Sequence, residues 1–162
     1  MIDWSALIQD GLFAAMAAIG FSSISHTPTR AYTVCGLAAA LGHASRFMMM
    51  HTDSLMGNII IASTLAALIV GITAVILSPY IKVPAESCLY PALLPMIPGM
   101  YAYRTITALM HCITDVGEPA VLHNLYLLCF NGFTCIAIVI GMVIGANLPI
   151  YLLKHISFQA TR

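Results

Sequence analysis

Charged side chains are what this sequence has least of. Lys and Arg together number six and Asp and Glu six, 7% of the 162 residues, where an ordinary soluble domain carries roughly 25%. So few ions cannot cover even a small domain against water, which excludes a soluble globular fold. With hydrophobic residues at 60%, the main solvent must be the lipid bilayer, and the chain reads as an integral membrane protein. The charges also cancel to zero. No basic surface is left for a polyanion, and nucleic acid is excluded as a partner.

Paired cysteines are missing too. Cys35, Cys88, Cys112, Cys129 and Cys135 contain no CxxC and sit in or beside apolar runs, where a thiol acts as a small hydrophobe rather than a redox or metal group. The opening residues MIDWSALIQD carry acid where a secretory signal carries base, and no small-residue cleavage site follows. The first apolar segment is therefore expected to remain in the protein. Low-complexity tracts, a soluble domain and short repeats are likewise missing from the pattern.

What is present is a series of apolar runs near the roughly 20 residues needed to span a bilayer. Four are continuous, at 4–24, 31–50, 56–77 and 120–146, and a fifth at 87–112 is interrupted by PALLPMIPG at 91–99. The connectors SHTPTR, HTDSL, SPYIKVPAE and TDVGEP hold the turn formers. The expected fold is all-α, a single transmembrane domain over 1–162: a bundle of about five transmembrane helices, the fourth broken at Pro95–Gly99. If all five segments span, Arg30, Lys82, Lys154 and Arg162 share one face, and Asp3, Asp53, Asp115 and Glu118 share the other. Lys and Arg favour the cytoplasm, so the C-terminus is expected inside and the N-terminus outside. A re-entrant fourth segment would put Lys82 and Glu118 on one side and scramble the pattern.

Within that frame a few polar groups lie inside the membrane. At a rise of about 1.5 Å per residue, Asp10 lies about 10 Å below the outer surface, His43 and Arg46 about 12 and 7 Å, and Arg104 about 12 Å. Ionisable groups at such depth cost several kcal/mol unless they pair or face water, and they usually mark a bundle interior or a substrate path. Each has a plainer reading. Arg46 can snorkel to the helix end, Asp10 can be a structural partner of Arg46 or Arg104, and His43 can be a neutral histidine bonded to a neighbouring helix. Taken together, Asp10, Arg46 and Arg104 carry one net positive charge, which suits an anionic or zwitterionic small carboxylate or amino acid rather than a metal cation. Asp10 or His43 is the candidate for proton exchange.

The proline run has a matching interpretation. Proline removes a helix hydrogen bond and clashes with the preceding turn, so Pro95, Pro98 and Gly99 should open the fourth helix near the midplane. Exposed backbone is prohibitive in lipid, so the break must face protein or a watery cavity. The half-helix starting near Gly99 then points its positive end at the midplane, with Tyr101, Tyr103 and Arg104 in its first turns, a construction that carriers use for substrate carboxylates. A kink with only a packing role is the plainer alternative. Asn131 on the last span offers a further hydrogen bond to substrate or to another helix. The run Met48, Met49, Met50, His51 has soft-metal donors, but consecutive residues fan out around a helix and cannot converge. No metal site and no cofactor are expected.

GF at 20–21, PTR at 28–30, GHASR at 42–46 and LPMIPGMYAY at 94–103 occur in an order and spacing that resembles the small subunit of the two-component bacterial threonine/serine exporter family. That family is also associated with dicarboxylate (succinate) export. The resemblance implies a multi-pass protein of the bacterial cytoplasmic (inner) membrane that works with a larger membrane subunit, the two being fused in longer relatives. The family-like positions are Gln9, Asp10, Pro28, Arg30, Gly42, His43, Arg46, Pro95, Pro98 and Gly99. The strongly basic tail of such relatives is thinned here to Lys154, His155 and Arg162.

The expected function is the membrane subunit of a proton-coupled secondary exporter for threonine, serine or small dicarboxylates. Arg46, Arg104, Pro98, Gly99, Tyr101 and Asn131 are the candidate substrate contacts, and Asp10 and His43 the candidate proton carriers. The rivals are a non-transporting assembly subunit and a homo-oligomeric channel. An intramembrane enzyme is disfavoured, since no serine/histidine or paired-aspartate set falls at one depth on facing helices.

Overall fold

A computed structural model describes residues 3–51, 58–153 and 155. Met56 and Gly57 of the third expected span, and Asp53, Lys154 and Arg162 of the charge pattern, lie outside the described residues. Every regular element among the described residues is helical. In chain order they are α1 (Trp4–Ile24), α2 (Tyr32–His51), α3 (Ile59–Ile81), α4 (Ala85–Leu93), α5 (Gly99–Thr114) and α6 (Glu118–Leu152), with 3-10 turns at Thr29–Ala31 and Leu94–Met96. The all-α bundle is as expected, and the fourth apolar segment is indeed broken: α4 ends at Leu93, and α5 starts at Gly99.

Helices α1, α3 and α6 are long and apolar enough to cross a membrane. Helix α2 has the length of a span, at 20 residues, but carries His43, Arg46 and His51. Local chemistry sets the ends. Asp3 caps α1, its Oδ1 accepting from the Ser5 amide at 3.0 Å and the Ser5 hydroxyl at 2.7 Å. Those bonds hold its carboxyl below the ordinary aspartate range. Asn58 caps α3 in the same way, accepting from the Ile60 amide at 3.0 Å. Helix α3 closes on Lys82 in the left-handed conformation, φ 54° and ψ 45°.

Two spans run past their expected ends, through proline. Helix α3 includes Pro79, whose missing N–H would have served the Val75 carbonyl. The Ser78 hydroxyl donates to that carbonyl instead, at 3.0 Å, so the helix continues to Ile81 without an orphaned acceptor. Helix α6 similarly includes Pro149.

The chain divides into two compact units, one over Met1–Met96 and Gly141–Arg162, the other over Ile97–Ile140. The first is held by small residues. Gly11, Ala14, Ala18 and Ser22 recur at three- and four-residue spacing on the buried face of α1, and Cys35, Ala38, Ala39 and Gly42 do the same on α2. Lipid tails are as apolar as leucine, so helices in a bilayer gain from close backbone approach rather than from burying large side chains. The end of α6 shows how close that is: a Cβ placed on Gly145 would run onto the Thr64 carbonyl, and one on Gly71 onto the Ala146 carbonyl. Large apolar side chains such as Phe13, Met16 and Ile76 instead point outward.

The second unit is a helical hairpin of α5 and the first part of α6. Its turn, Asp115–Gly117, uses a glycine at φ +130°, a backbone conformation open chiefly to glycine. Asp115 ties the turn down, its amide donating to the His111 carbonyl at 2.9 Å and its Oδ2 accepting from Asn124 Nδ2 at 2.9 Å.

Candidate functional site

The predicted polar residues fall into two groups, one in each unit. In the first unit, α1 and α2 pack along their small-residue faces and bring Asp10 against His43, with Asp10 Oδ2 3.2 Å from His43 Nδ1. The pair is asymmetric. The His43 side chain is 8% exposed and that of Asp10 39%, so the carboxylate is the end open to the surroundings. The other imidazole nitrogen, Nε2, is buried and has no hydrogen-bond partner among the described residues. Gly42, beside it, lets the backbone of α2 approach α3 and the break, since a Cβ there would strike Val70 and lie 3.3 Å from Met96 Sδ.

One turn along α2, Arg46 donates to the main-chain carbonyl of Met96 at 3.2 Å. Met96 is the last residue of the 3-10 turn that ends the α4 rod. Its carbonyl belongs to the negative, unsatisfied end of that rod, and a guanidinium is the group best suited to it. Asp10 and Arg46 also act on each other electrostatically, as do Arg46 and His43. Asp10, His43, Arg46 and the broken end of α4 therefore form one polar cluster. The plainer reading of Asp10 pairs it with Arg46 or Arg104; its hydrogen-bonded partner is His43, while Arg46 acts on it electrostatically.

Arg104 belongs to the second unit. It lines a cleft of about 420 Å³ between α5 and the first part of α6, together with Tyr103, Thr107, His111, Asn124 and Asn131. Asn131 is buried, with its Nδ2 donating to the Leu127 carbonyl of its own helix at 2.7 Å. Its Oδ1 is left as the acceptor on the cleft wall. Arg104 and Asn131 are thus brought together; Tyr101 is not part of the cleft lining, and its carbonyl accepts from Thr105 Oγ1 at 2.7 Å. Pro98 caps α5 with its carbonyl, which receives the Tyr101 and Ala102 amides at 3.1 and 3.2 Å. Gly99 opens the helix in free space, with nothing within 4 Å of a Cβ built on it.

Several participants escaped the sequence reading, Thr107 of the cleft among them. The Met96 carbonyl is a backbone atom that no side-chain pattern announces. His111 and Asn124 line the cleft but sit beside a connector that reads as a turn. Their signal was spacing: Arg104 and His111 are seven apart on α5, Asn124 and Asn131 seven apart on α6, and the pairs flank the turn that holds Gly117.

The family model described as "Threonine/Serine exporter, ThrE" matches residues 10–152, from the carboxylate of the first cluster to the end of α6. The chain belongs to this family. A relative from Haemophilus influenzae, described as an uncharacterized protein, is 33% identical over 104 residues, 64% of this chain and 34% of its own. The chain thus spans about a third of the length of the curated relative it matches. No solved structure matches it. Family membership and three long apolar helices make this a membrane protein of the threonine/serine exporter family.

Proposed function

We propose that the chain is the membrane subunit of a proton-coupled exporter of threonine or serine, working with a larger membrane subunit in the bacterial cytoplasmic membrane, N-terminus outside and C-terminus inside. The observation that carries this reading is the Asp10–His43 pair set beside Arg46 on the broken end of α4. An α-amino acid carries one anion and one cation close together, and this cluster offers a guanidinium and a carboxylate to match. Arg46 spends one of its five N–H donors on Met96 and keeps others for a substrate carboxylate.

The carboxylate of Asp10 is the counterpart of a substrate ammonium. A proton and an ammonium compete for it, and that competition is what exchange of a proton for an amino acid requires. Proton arrival at Asp10 releases the substrate ammonium, and proton departure restores the site. His43, bonded to the same carboxylate, fixes its orientation and shares the proton across that bond. Small dicarboxylates are the second substrate class; the carboxylate of Asp10 opposes a second anion in this cluster.

Reconstitution in liposomes, with and without the larger subunit, tests the reading. Threonine or serine efflux driven by an inward proton gradient is expected only with both subunits, and Asp10→Asn should uncouple efflux from the gradient. Full gradient-driven export by Asp10→Asn, or by the larger subunit alone, would overturn it. The second outcome would assign this chain an assembly role.

A further inference from the structure

Two of the five cysteines depart from the expectation that thiols here only pack. Cys35 on α2 and Cys88 on α4 are both fully buried, and each thiol lies within hydrogen-bonding reach of the other, with the Ser22 hydroxyl of α1 beside Cys35. The register of the two helices accounts for the meeting. Further along, Arg46 of α2 donates to the Met96 carbonyl, and a Cβ on Gly42 would lie 3.3 Å from Met96 Sδ. Cys35 stands seven residues before Gly42, two turns back on the same face of α2, and Cys88 eight before Met96, on the buried face it shares with Ala92. Those steps are about 10 and 13 Å at helical rise. Helices that touch at Met96 and run parallel therefore bring the two sulfurs to one level.

Each cysteine is the fourth residue of its helix, so the positive ends of two helices lie next to the pair, a setting found around reactive cysteines. Among the described residues no group of three or more His, Cys, Asp or Glu is placed to hold a metal ion. Two sulfurs without a third ligand are better placed to bond to each other. We propose that Cys35 and Cys88 are an oxidation site, a thiol pair that hydrogen peroxide converts to a disulfide between α2 and α4. One thiolate attacks a peroxide oxygen, the O–O bond breaks, and the departing hydroxide takes up the thiol proton as water, leaving a sulfenic acid. The second thiol attacks that sulfur, and its proton leaves with the sulfenic hydroxyl as a second water. Two thiols lose two electrons, and one peroxide takes them up. Peroxide is uncharged and close to water in size, which suits it to a buried pair one turn inside the helix starts. The bond fixes α2 to α4 at the end away from the Arg46–Met96 contact. It rests on the pair and not on the exporter reading.

The test is peroxide treatment of the full chain in lipid nanodiscs, blocking of free thiols with iodoacetamide in denaturant, and mass spectrometry of the unreduced digest. Cys129, which is exposed, reports that the oxidant has reached the protein. The Cys35–Cys88 link should outnumber any other at least tenfold and disappear on treatment with dithiothreitol. In Cys35→Ala and Cys88→Ala the link is lost, and the cysteine that remains should stop at sulfenic acid, captured by dimedone at a yield several-fold above that of wild type. A variant that fails to fold leaves the wild-type link to decide. Cys35 and Cys88 both recovered as free thiols once Cys129 is oxidised would overturn the site. So would either one ending as sulfonic acid with no link between them, or a wild-type link that forms while neither folded variant yields a dimedone adduct.

Discussion

The Arg46 guanidinium lies 3.2 Å from the Met96 carbonyl, at the point where the rod begun by α4 stops. A helix end inside a membrane leaves carbonyls without partners, each costing several kcal/mol if it meets hydrocarbon. A guanidinium brought from a neighbouring helix meets both needs, a donor for the oxygen and a positive charge for the dipole. The break is thus stabilised by a residue fifty positions earlier in the chain.

Removing that donor should cost more than an ordinary surface change. Arg46→Ala is expected to lower stability by about 1–3 kcal/mol, the range for stranding a buried acceptor that had a charged partner. Arg46→Lys should recover part of it, since an ammonium supplies charge but not the same reach and fork. Thermal unfolding in detergent reads both; equal melting temperatures for wild type and Arg46→Ala would show that the contact is idle.

Two glycines of the family-like pattern should behave oppositely. At Gly42 a Cβ would strike Val70 and crowd Met96 Sδ at 3.3 Å, so Gly42→Ala should destabilise by about 1–3 kcal/mol through overpacking. Val70→Ala in the same chain should relieve it. At Gly99 a Cβ meets nothing within 4 Å, and Gly99→Ala should be neutral or stabilising by up to about 1 kcal/mol through reduced chain freedom. Since Gly99→Ala leaves folding alone, any loss of transport it causes is a loss of backbone access at the start of α5.

Ser78 offers a third measurement. Its hydroxyl serves the Val75 carbonyl at 3.0 Å, the acceptor that Pro79 cannot serve. Ser78→Ala should cost about 1–3 kcal/mol, as for a buried unsatisfied group. Ser22 is equally buried, but its hydroxyl donates at 2.7 Å to the Ala18 carbonyl, which stands one turn earlier in an intact stretch of α1. Ser22→Ala should cost under about 1 kcal/mol. A reversed order in melting temperature would refute the account of how α3 passes its proline.

These residues also show where sequence is informative. The span 4–24 coincides with α1 because lipid leaves apolar length as the dominant signal. The break was legible because Pro95 and Pro98 act through local covalent geometry. Proline alone misleads at Pro79, Pro91 and Pro149, where the helix continues; at Pro79 the Ser78 hydroxyl marks how it does so. The partner of Asp10 was hidden for another reason. Which residue of α2 faces it depends on the rotation of two helices packed by glycine, alanine and serine, and side chains that small carry little information on rotation.

The Asp10–His43 pair carries the last prediction, because the two nitrogens of His43 stand so differently. Nδ1 rests against Asp10 at 3.2 Å, while Nε2 is buried without a partner among the described residues. Asp10→Asn keeps an oxygen or an amide within reach of Nδ1, so it should fold with wild-type stability while losing the charge. Asp10→Ala strands both nitrogens in the interior and should cost about 1–3 kcal/mol. Adding His43→Leu removes the stranded groups and should return much of that loss. The pair therefore predicts a double-mutant coupling between Asp10→Ala and His43→Leu of about 0.5–3 kcal/mol, read from melting in detergent. Strict additivity would mean the two side chains do not meet in the membrane, and the proton path drawn through them would have no first step.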